Sequence, residues 1–208
     1  MSPLLVFVRH GESEANVARV ISNRESPYPL TERGRGQAAD AAERLRQYRV
    51  TRILSSPLVR AKQTATVIGE ALGVTVHLRE ELREFDCGVG EGRSDESAWR
   101  LHAALFDAWL LRGEKEASFE GGEDLHAIAD RLGRLVAQCI IEPAPDDGAT
   151  VFVGHGGVYR AALPFVLANV DPAFAHAHPL GHSDMVLAEV RSATGWCRSW
   201  GAHDLSRG

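Results

Sequence analysis

Leu4-Leu5-Val6-Phe7-Val8 runs directly into Arg9-His10-Gly11-Glu12-Ser13, and this junction decides the fold class. A short apolar run that stops at a polar cluster reads as a buried strand with reactive groups at its carboxyl end. The pattern returns late in the chain. Thr150-Val151-Phe152-Val153 leads into Gly154-His155-Gly156-Gly157 and then into an Ala/Leu-rich helix. Between them, a strand over Arg52–Leu54 leads to Ser55-Ser56-Pro57-Leu58-Val59-Arg60. Ser-Pro at that point reads as a helix start, with serine at the N-cap and Pro57 at the first helical position.

The remaining elements fit between these three. Thr31 opens a helix with Ala38, Ala41, Ala42 and Leu45 on one face. Ala61, Ala65, Ile68 and Leu72 form the apolar stripe of the next helix, which Gly73 ends. Val74–Leu78 reads as a third strand. Leu125, Ile128, Leu132, Leu135 and Val136 mark a further helix, and Met185–Val190 and Gly195–Trp200 a terminal strand pair. Strands alternating with helices predict an α/β fold: three α/β/α layers around a mostly parallel mixed sheet. Residues 1–208 read as one domain. The stretch 87–120, with its glycines and then Trp99, Phe106 and Trp109, breaks the rhythm and reads as a helical cap insertion over the C-terminal strand ends.

The 208 residues suit a single core of good size, and 44% hydrophobic with 25% charged residues is ordinary for a globular chain. The net charge is −5, and the lysines are only Lys62 and Lys115, so neither nucleic acid nor an anionic membrane is expected as a partner. The apolar run Leu4–Val8 is too short for an export signal or a spanning helix, which makes the cytoplasm the expected compartment. Cys87, Cys139 and Cys197 are odd in number and far apart, and read as reduced thiols. The sequence does not reveal the oligomeric state.

Three strand ends thus bring two histidines and two arginines to one sheet edge, where ligands of such sheets bind. Helix N-termini after Pro57 and Gly156 add free N–H groups and a positive dipole end. This is a phosphate site built without a glycine-rich nucleotide loop. A neutral imidazole is a competent nucleophile, and guanidiniums can compensate the charge of a transferring phosphoryl group without a metal. The departing alkoxide needs a proton, for which Glu84 is the leading carboxyl and Glu12 and Glu91 are its rivals. His176, His178 and His182 lie close enough for a metal-ligand set, but no matching Cys or carboxylate pair accompanies them, and a surface loop is the expected reading. No metal and no cofactor are expected.

With these residues in order, the chain resembles the histidine phosphatase superfamily, in its phosphoglycerate-mutase-like branch. The resemblance is carried by Arg9-His10-Gly11-Glu12-Ser13 with Asn16, by Leu30-Thr31 with Gly34 and Gln37, and by Ser55-Ser56-Pro57 with Arg60 and Gln63-Thr64-Ala65. Leu82-Arg83-Glu84, Gly121-Gly122-Glu123 and Gly154-His155-Gly156-Gly157 complete it. The resemblance implies His10 as a nucleophile that becomes phosphohistidine, with Arg9, Arg60 and His155 holding phosphoryl oxygens. It implies Asn16 as a further phosphate contact, Ser22 as a substrate-side hydroxyl, Glu84 as acid and then base, and a contribution from the Gly156 N–H. It also puts His182-Ser183 at the border of the site. Where phosphatase members carry an aromatic residue and a tryptophan after the acid, this chain has Cys87 and Gly90, which predicts a roomier, less rigid loop.

The expected function is metal-independent hydrolysis of a small-molecule phosphate ester, a phosphatase reaction through phosphohistidine. One alternative is a 2,3-bisphosphoglycerate-dependent phosphoglycerate mutase, although Val20-Ile21-Ser22-Asn23-Arg24 replaces the Phe-Thr-Gly-Trp stretch of the mutases. A second is a weakly catalytic module that binds phosphorylated ligands, which would not need a nucleophile and an acid together.

Overall fold

The apolar run at the head of the chain becomes strand β1 (Leu4–Arg9), and its side chains alternate between two cores. Leu5 and Phe7 are buried in one core and Val6 and Val8 in the other. A strand buried on both faces must lie inside a covered sheet. The structure, a computed structural model, describes residues 3–24 and 28–206. After β1 come α1 (Glu14–Ala18), α2 (Glu32–Leu45), β2 (Val50–Ser55), α3 (Val59–Leu72), β3 (Val76–Leu78) and α4 (Glu96–Asp107). Then follow α5 (Leu125–Ile141), β4 (Ala149–Gly154), α6 (Gly156–Val166), α7 (Pro172–Ala177), β5 (Met185–Arg191), β6 (Thr194–Trp200) and β7 (His203–Asp204).

The sheet order is β3-β2-β4-β1-β5-β6-β7. Strands β3, β2, β4 and β1 run parallel, and β5, β6 and β7 add antiparallel ladders on one side. Helices α2 and α3 cover the face bearing Val6, Val8, Ile53 and Val151. Helices α5 and α6 cover the face bearing Leu5, Phe7, Leu54 and Phe152. This is the α/β architecture expected from the sequence. No helix among the described residues is long and apolar enough to cross a membrane.

Several local details depart from the sequence reading. Thr31 caps α2 as expected, its side chain accepting from the Gly34 N–H at 3.0 Å. At the next helix, however, the chain stays extended through Ser56, whose N–H bonds the Val153 carbonyl at 2.9 Å, and α3 starts only at Val59. Ser56 and Pro57 therefore precede the helix, and Leu58 holds the N-cap position without a side-chain cap. Strand β3 begins two residues later than expected, because the Val74 N–H caps the end of α3 on the Gly69 carbonyl at 3.0 Å.

The loop after Glu84 is closely packed at Gly90. A Cβ on Gly90 would lie 3.0 Å from the Phe119 ring and 3.3 Å from Cys87 Cβ. The Phe119 ring packs against Gly90, while Cys87 is fully buried and accepts from Asn23 Nδ2 at 3.2 Å. Residues 87–120 carry α4, and Trp99 ties it to the end of α1 by donating from Nε1 to the Arg19 carbonyl at 2.7 Å.

Candidate active site

Pairing β1 with β4 in parallel sets Arg9 opposite Gly154, so the residues that follow, His10 and His155, emerge side by side. Their rings meet edge to face with centroids 5.0 Å apart. Arg60 reaches them from the first turn of α3, its Nε donating to His10 Nε2 at 3.1 Å. Thr64, one turn later, donates to the Arg60 carbonyl at 2.8 Å and accepts the Gly11 N–H at 3.1 Å, so α3 and the loop after β1 are fastened together.

The tautomer of His10 follows from its partners. Nδ1 lies 2.6 Å from the Gly11 carbonyl oxygen, which can only accept, so Nδ1 carries the proton. Nε2 then holds the lone pair. Burial, followed by Arg60 and Arg9 nearby, keeps the ring's pKa well below the usual histidine value. The ring is therefore neutral at physiological pH and has a bare nitrogen facing a guanidinium.

Arg60 is a buried cation and Arg9 a half-buried one. Arg60 Nη1 donates to the Ser22 carbonyl at 2.8 Å and approaches Ser22 Oγ at 3.4 Å. Burial lowers its pKa to about 10, opposed by Glu84 and Glu91. Arg9 Nη1 donates to the Leu180 carbonyl at 2.5 Å, while its Nε atom is buried without a partner among the described residues. A buried N–H that lacks an acceptor is costly to maintain and is a ready donor to an anion.

Glu84 follows the turn Glu80–Leu82 and is held by its buried neighbours Leu82 and Phe85. Its carboxylate sits on the first turn of α6, where Oε2 accepts from the Gly157 N–H at 2.9 Å and Oε1 from the Val158 N–H at 2.6 Å. A Cβ on Gly157 would lie 2.7 Å from both carboxylate oxygens, so a larger residue there would displace the Glu84 side chain from the helix. Burial raises the Glu84 pKa above its ordinary value, against the opposing pull of the N–H donors and Arg60. The rival carboxylates are engaged elsewhere. Glu12 accepts from Thr31 Oγ1 at 2.9 Å, and Glu91 accepts from the Asn23 N–H at 2.9 Å.

Arg9, His10, Asn16, Ser22, Arg60, Glu84 and Gly156 all border one cavity of about 190 Å³. Asn16 is held through Oδ1, which accepts from the Ser13 N–H at 3.0 Å and Oγ at 2.9 Å, leaving its amide NH2 as the free end. His155 is fully buried beside His10, with Nε2 2.8 Å from Ser56 Oγ. The three loop histidines separate. His176 pairs with Asp107 at 2.7 Å, His178 stacks on Phe174, and His182 faces His10 at 6.3 Å between centroids.

The far wall contains residues the sequence reading did not single out. His102 and Arg160 line the cavity with Trp99 and Phe106. Both were accessible to a helical-spacing argument: His102 lies three residues after Trp99 and four before Phe106, and Arg160 lies one turn after Gly156. The Arg160 guanidinium stacks on the Phe106 ring at 4.4 Å. Burial lowers the pKa of His102 to about 4, and likewise that of His182 to about 4.

These histidines make stability pH-dependent. The unfolded chain binds protons near pH 6.5, whereas the folded chain does not until lower pH, so acid favours unfolding. Tm is expected to fall as the pH drops from about 6.5 toward 4, and His102→Phe is expected to flatten that slope. Thermal melts of both proteins across this range check it; parallel curves would remove His102 from the account.

Comparisons with known proteins show the family and the fold. The sequence profile of the histidine phosphatase superfamily (branch 1) matches residues 5–203. A Salmonella choleraesuis protein named "Probable phosphoglycerate mutase GpmB" is 35% identical over 156 residues, covering 72% of this chain and 68% of that one. Among solved structures, one titled "Mycobacterial hydrolase 1" superposes with a TM-score of 0.81 at 28% identity, covering 97% of this chain and 99% of that one. A mycobacterial glucosyl-3-phosphoglycerate phosphatase solved with VO3 gives a TM-score of 0.80 at 29% identity, covering 97% of this chain and all of that one.

Proposed function

The chain belongs to branch 1 of the histidine phosphatase superfamily, and from that premise we propose that it is a phosphatase that hydrolyses a small-molecule phosphomonoester through phosphohistidine at His10. The observation that carries this reading is the state of His10: a neutral ring with Nδ1–H tied to a carbonyl and an unprotonated Nε2 that accepts from Arg60 Nε.

In the first step the Nε2 lone pair attacks phosphorus and the bond from phosphorus to the alcohol oxygen breaks. The departing oxygen takes the Glu84 proton. In the second step the Glu84 carboxylate takes a proton from water, the water oxygen attacks phosphorus, and the P–N bond electrons return to Nε2. Arg9, Arg60, His155, the Asn16 amide and the Gly156 N–H compensate the charge on the phosphoryl oxygens. Ser22 acts here by holding Arg60, and its hydroxyl borders the substrate. Burial moves the Glu84 pKa upward, which is the direction the acid role needs.

No step needs a metal ion, and the substrate is the only partner required. Turnover of p-nitrophenyl phosphate in EDTA tests the reading. Hydrolysis is expected to survive chelation; its abolition by EDTA with rescue by a divalent metal would overturn the mechanism. Arg60→Ala is expected to cost about 3–4 kcal/mol of transition-state stabilisation, as for loss of an oxyanion donor. Arg60→Lys should restore only part of that, since an ammonium lacks the guanidinium fork. Near-normal kcat/KM in Arg60→Ala would locate the phosphate elsewhere.

The name of the Salmonella relative favours a second reading, a phosphoglycerate mutase. It is tested by supplying 3-phosphoglycerate with 2,3-bisphosphoglycerate and following 2-phosphoglycerate. A panel of metabolite phosphates ranked by kcat/KM would identify the substrate, and phosphoglycerates and their glycosides belong on it because of the relatives' names.

A further inference from the structure

Ser56 is fully buried at the end of β2, and it does not cap a helix. Its Oγ lies 2.8 Å from His155 Nε2 and also accepts the Leu58 N–H at 3.3 Å. A serine hydroxyl has one proton to give. Among the described residues, His155 Nε2 is the acceptor within its reach. In the reverse arrangement, with Nε2–H donating, Oγ would receive two donors and its own proton would be stranded in a dry site. Nε2 is therefore the acceptor, and the single proton of a neutral imidazole sits on Nδ1. His155 Nδ1 is buried and has no hydrogen-bond partner among the described residues.

The neighbouring ring reaches the same tautomer by the other route, through an acceptor on Nδ1 rather than a donor to Nε2. The Gly11 carbonyl holds the His10 proton on Nδ1 and leaves Nε2 bare. Two adjacent histidines are thus set in the same Nδ1–H tautomer, one by a carbonyl that accepts from Nδ1 and the other by a hydroxyl that donates to Nε2. We infer that Ser56 is a positioning residue: its hydroxyl fixes His155 as the Nδ1–H tautomer, so that the orphan donor beside His10 is ready for a phosphoryl oxygen. This rests on the phosphoryl-site reading above and adds the group that sets the second histidine. Burial, with Arg60 beside it, keeps the His155 pKa well below the usual value, so the ring has one proton to place.

Ring-nitrogen NMR of the full chain labelled with 15N-histidine reads the tautomer directly. Ligand-free wild type near neutral pH is expected to show His155 with a protonated Nδ1 and a bare Nε2. Ser56→Ala should lose that preference, and kcat for p-nitrophenyl phosphate should fall about tenfold to a hundredfold, as when a supporting hydrogen bond to a working histidine is removed. Ser56→Thr and Ser56→Val add the same volume at this position. Threonine should keep the tautomer and more of the rate than valine. A wild-type His155 protonated on Nε2 would overturn the inference, and so would equal rates and equal spectra in the Thr and Val variants, which would mean that Ser56 only packs. Failure of the phosphohistidine reading has a different signature, no phosphate on His10 after quenching, and it leaves the wild-type nitrogen spectrum readable.

Discussion

His10→Ala is expected to lose on the order of 10⁴–10⁶-fold in kcat, the scale on which removing a nucleophile disables a covalent mechanism. The size follows from the site's economy. The bare Nε2 is the nitrogen that geometry and burial prepare, and the groups around it bind phosphate but cannot form the covalent intermediate. Brief turnover of wild type followed by quenching should trap a phosphate on His10 that is labile in acid and stable in base. In His10→Ala the arginines remain, so the protein should still bind inorganic phosphate while failing to turn over. A trapped phosphoserine, or full activity in the alanine variant, would eliminate the mechanism.

Glu84→Gln carries the second large effect, and it depends on the leaving group. An alkyl phosphate releases a strongly basic alkoxide that needs a proton as the P–O bond breaks, whereas p-nitrophenolate needs little help. Glutamine keeps the shape but has no proton to give, and its NH2 meets the Gly157 or Val158 N–H where a carboxylate oxygen had accepted. Labelling of His10 by an alkyl phosphate in a single turnover should slow by roughly 10²–10⁴-fold. Labelling by p-nitrophenyl phosphate should slow far less. Single-turnover labelling separates this step from dephosphorylation, where Glu84 would act as base. Equal labelling rates for wild type and Glu84→Gln with the alkyl substrate would exclude Glu84 as the acid. The raised Glu84 pKa also sets a sign: the acid form persists to higher pH than an ordinary carboxyl, and the phosphorylation rate should decline as pH rises through that value.

Much of this was legible in the chain itself, because it depends on neighbours in sequence. The apolar runs ending at Arg9-His10 and Gly154-His155, the Thr31 cap and the stripe on α3 are local patterns, and each formed the element its period implies. Strand alternation and helical spacing also imply two covered sheet faces, and hence the α/β class. What distant segments do to one another was not written locally. Spacing left Glu12, Glu84 and Glu91 as rivals; the separation came from contacts across the fold, since Glu84 is caught by N–H groups 73 and 74 residues away. Gly90 read as room in the loop, yet Phe119, distant in sequence, packs against it. Ser56 read as a helix cap because Ser-Pro usually is one. The sheet order, with β4 between β2 and β1, sets its hydroxyl against His155 instead. Local periodicity thus determined the elements and the polar residues at their ends. The order of strands in the sheet determined which of those residues meet, because a hydrogen bond needs its partners within about 3 Å and only packing brings remote segments that close.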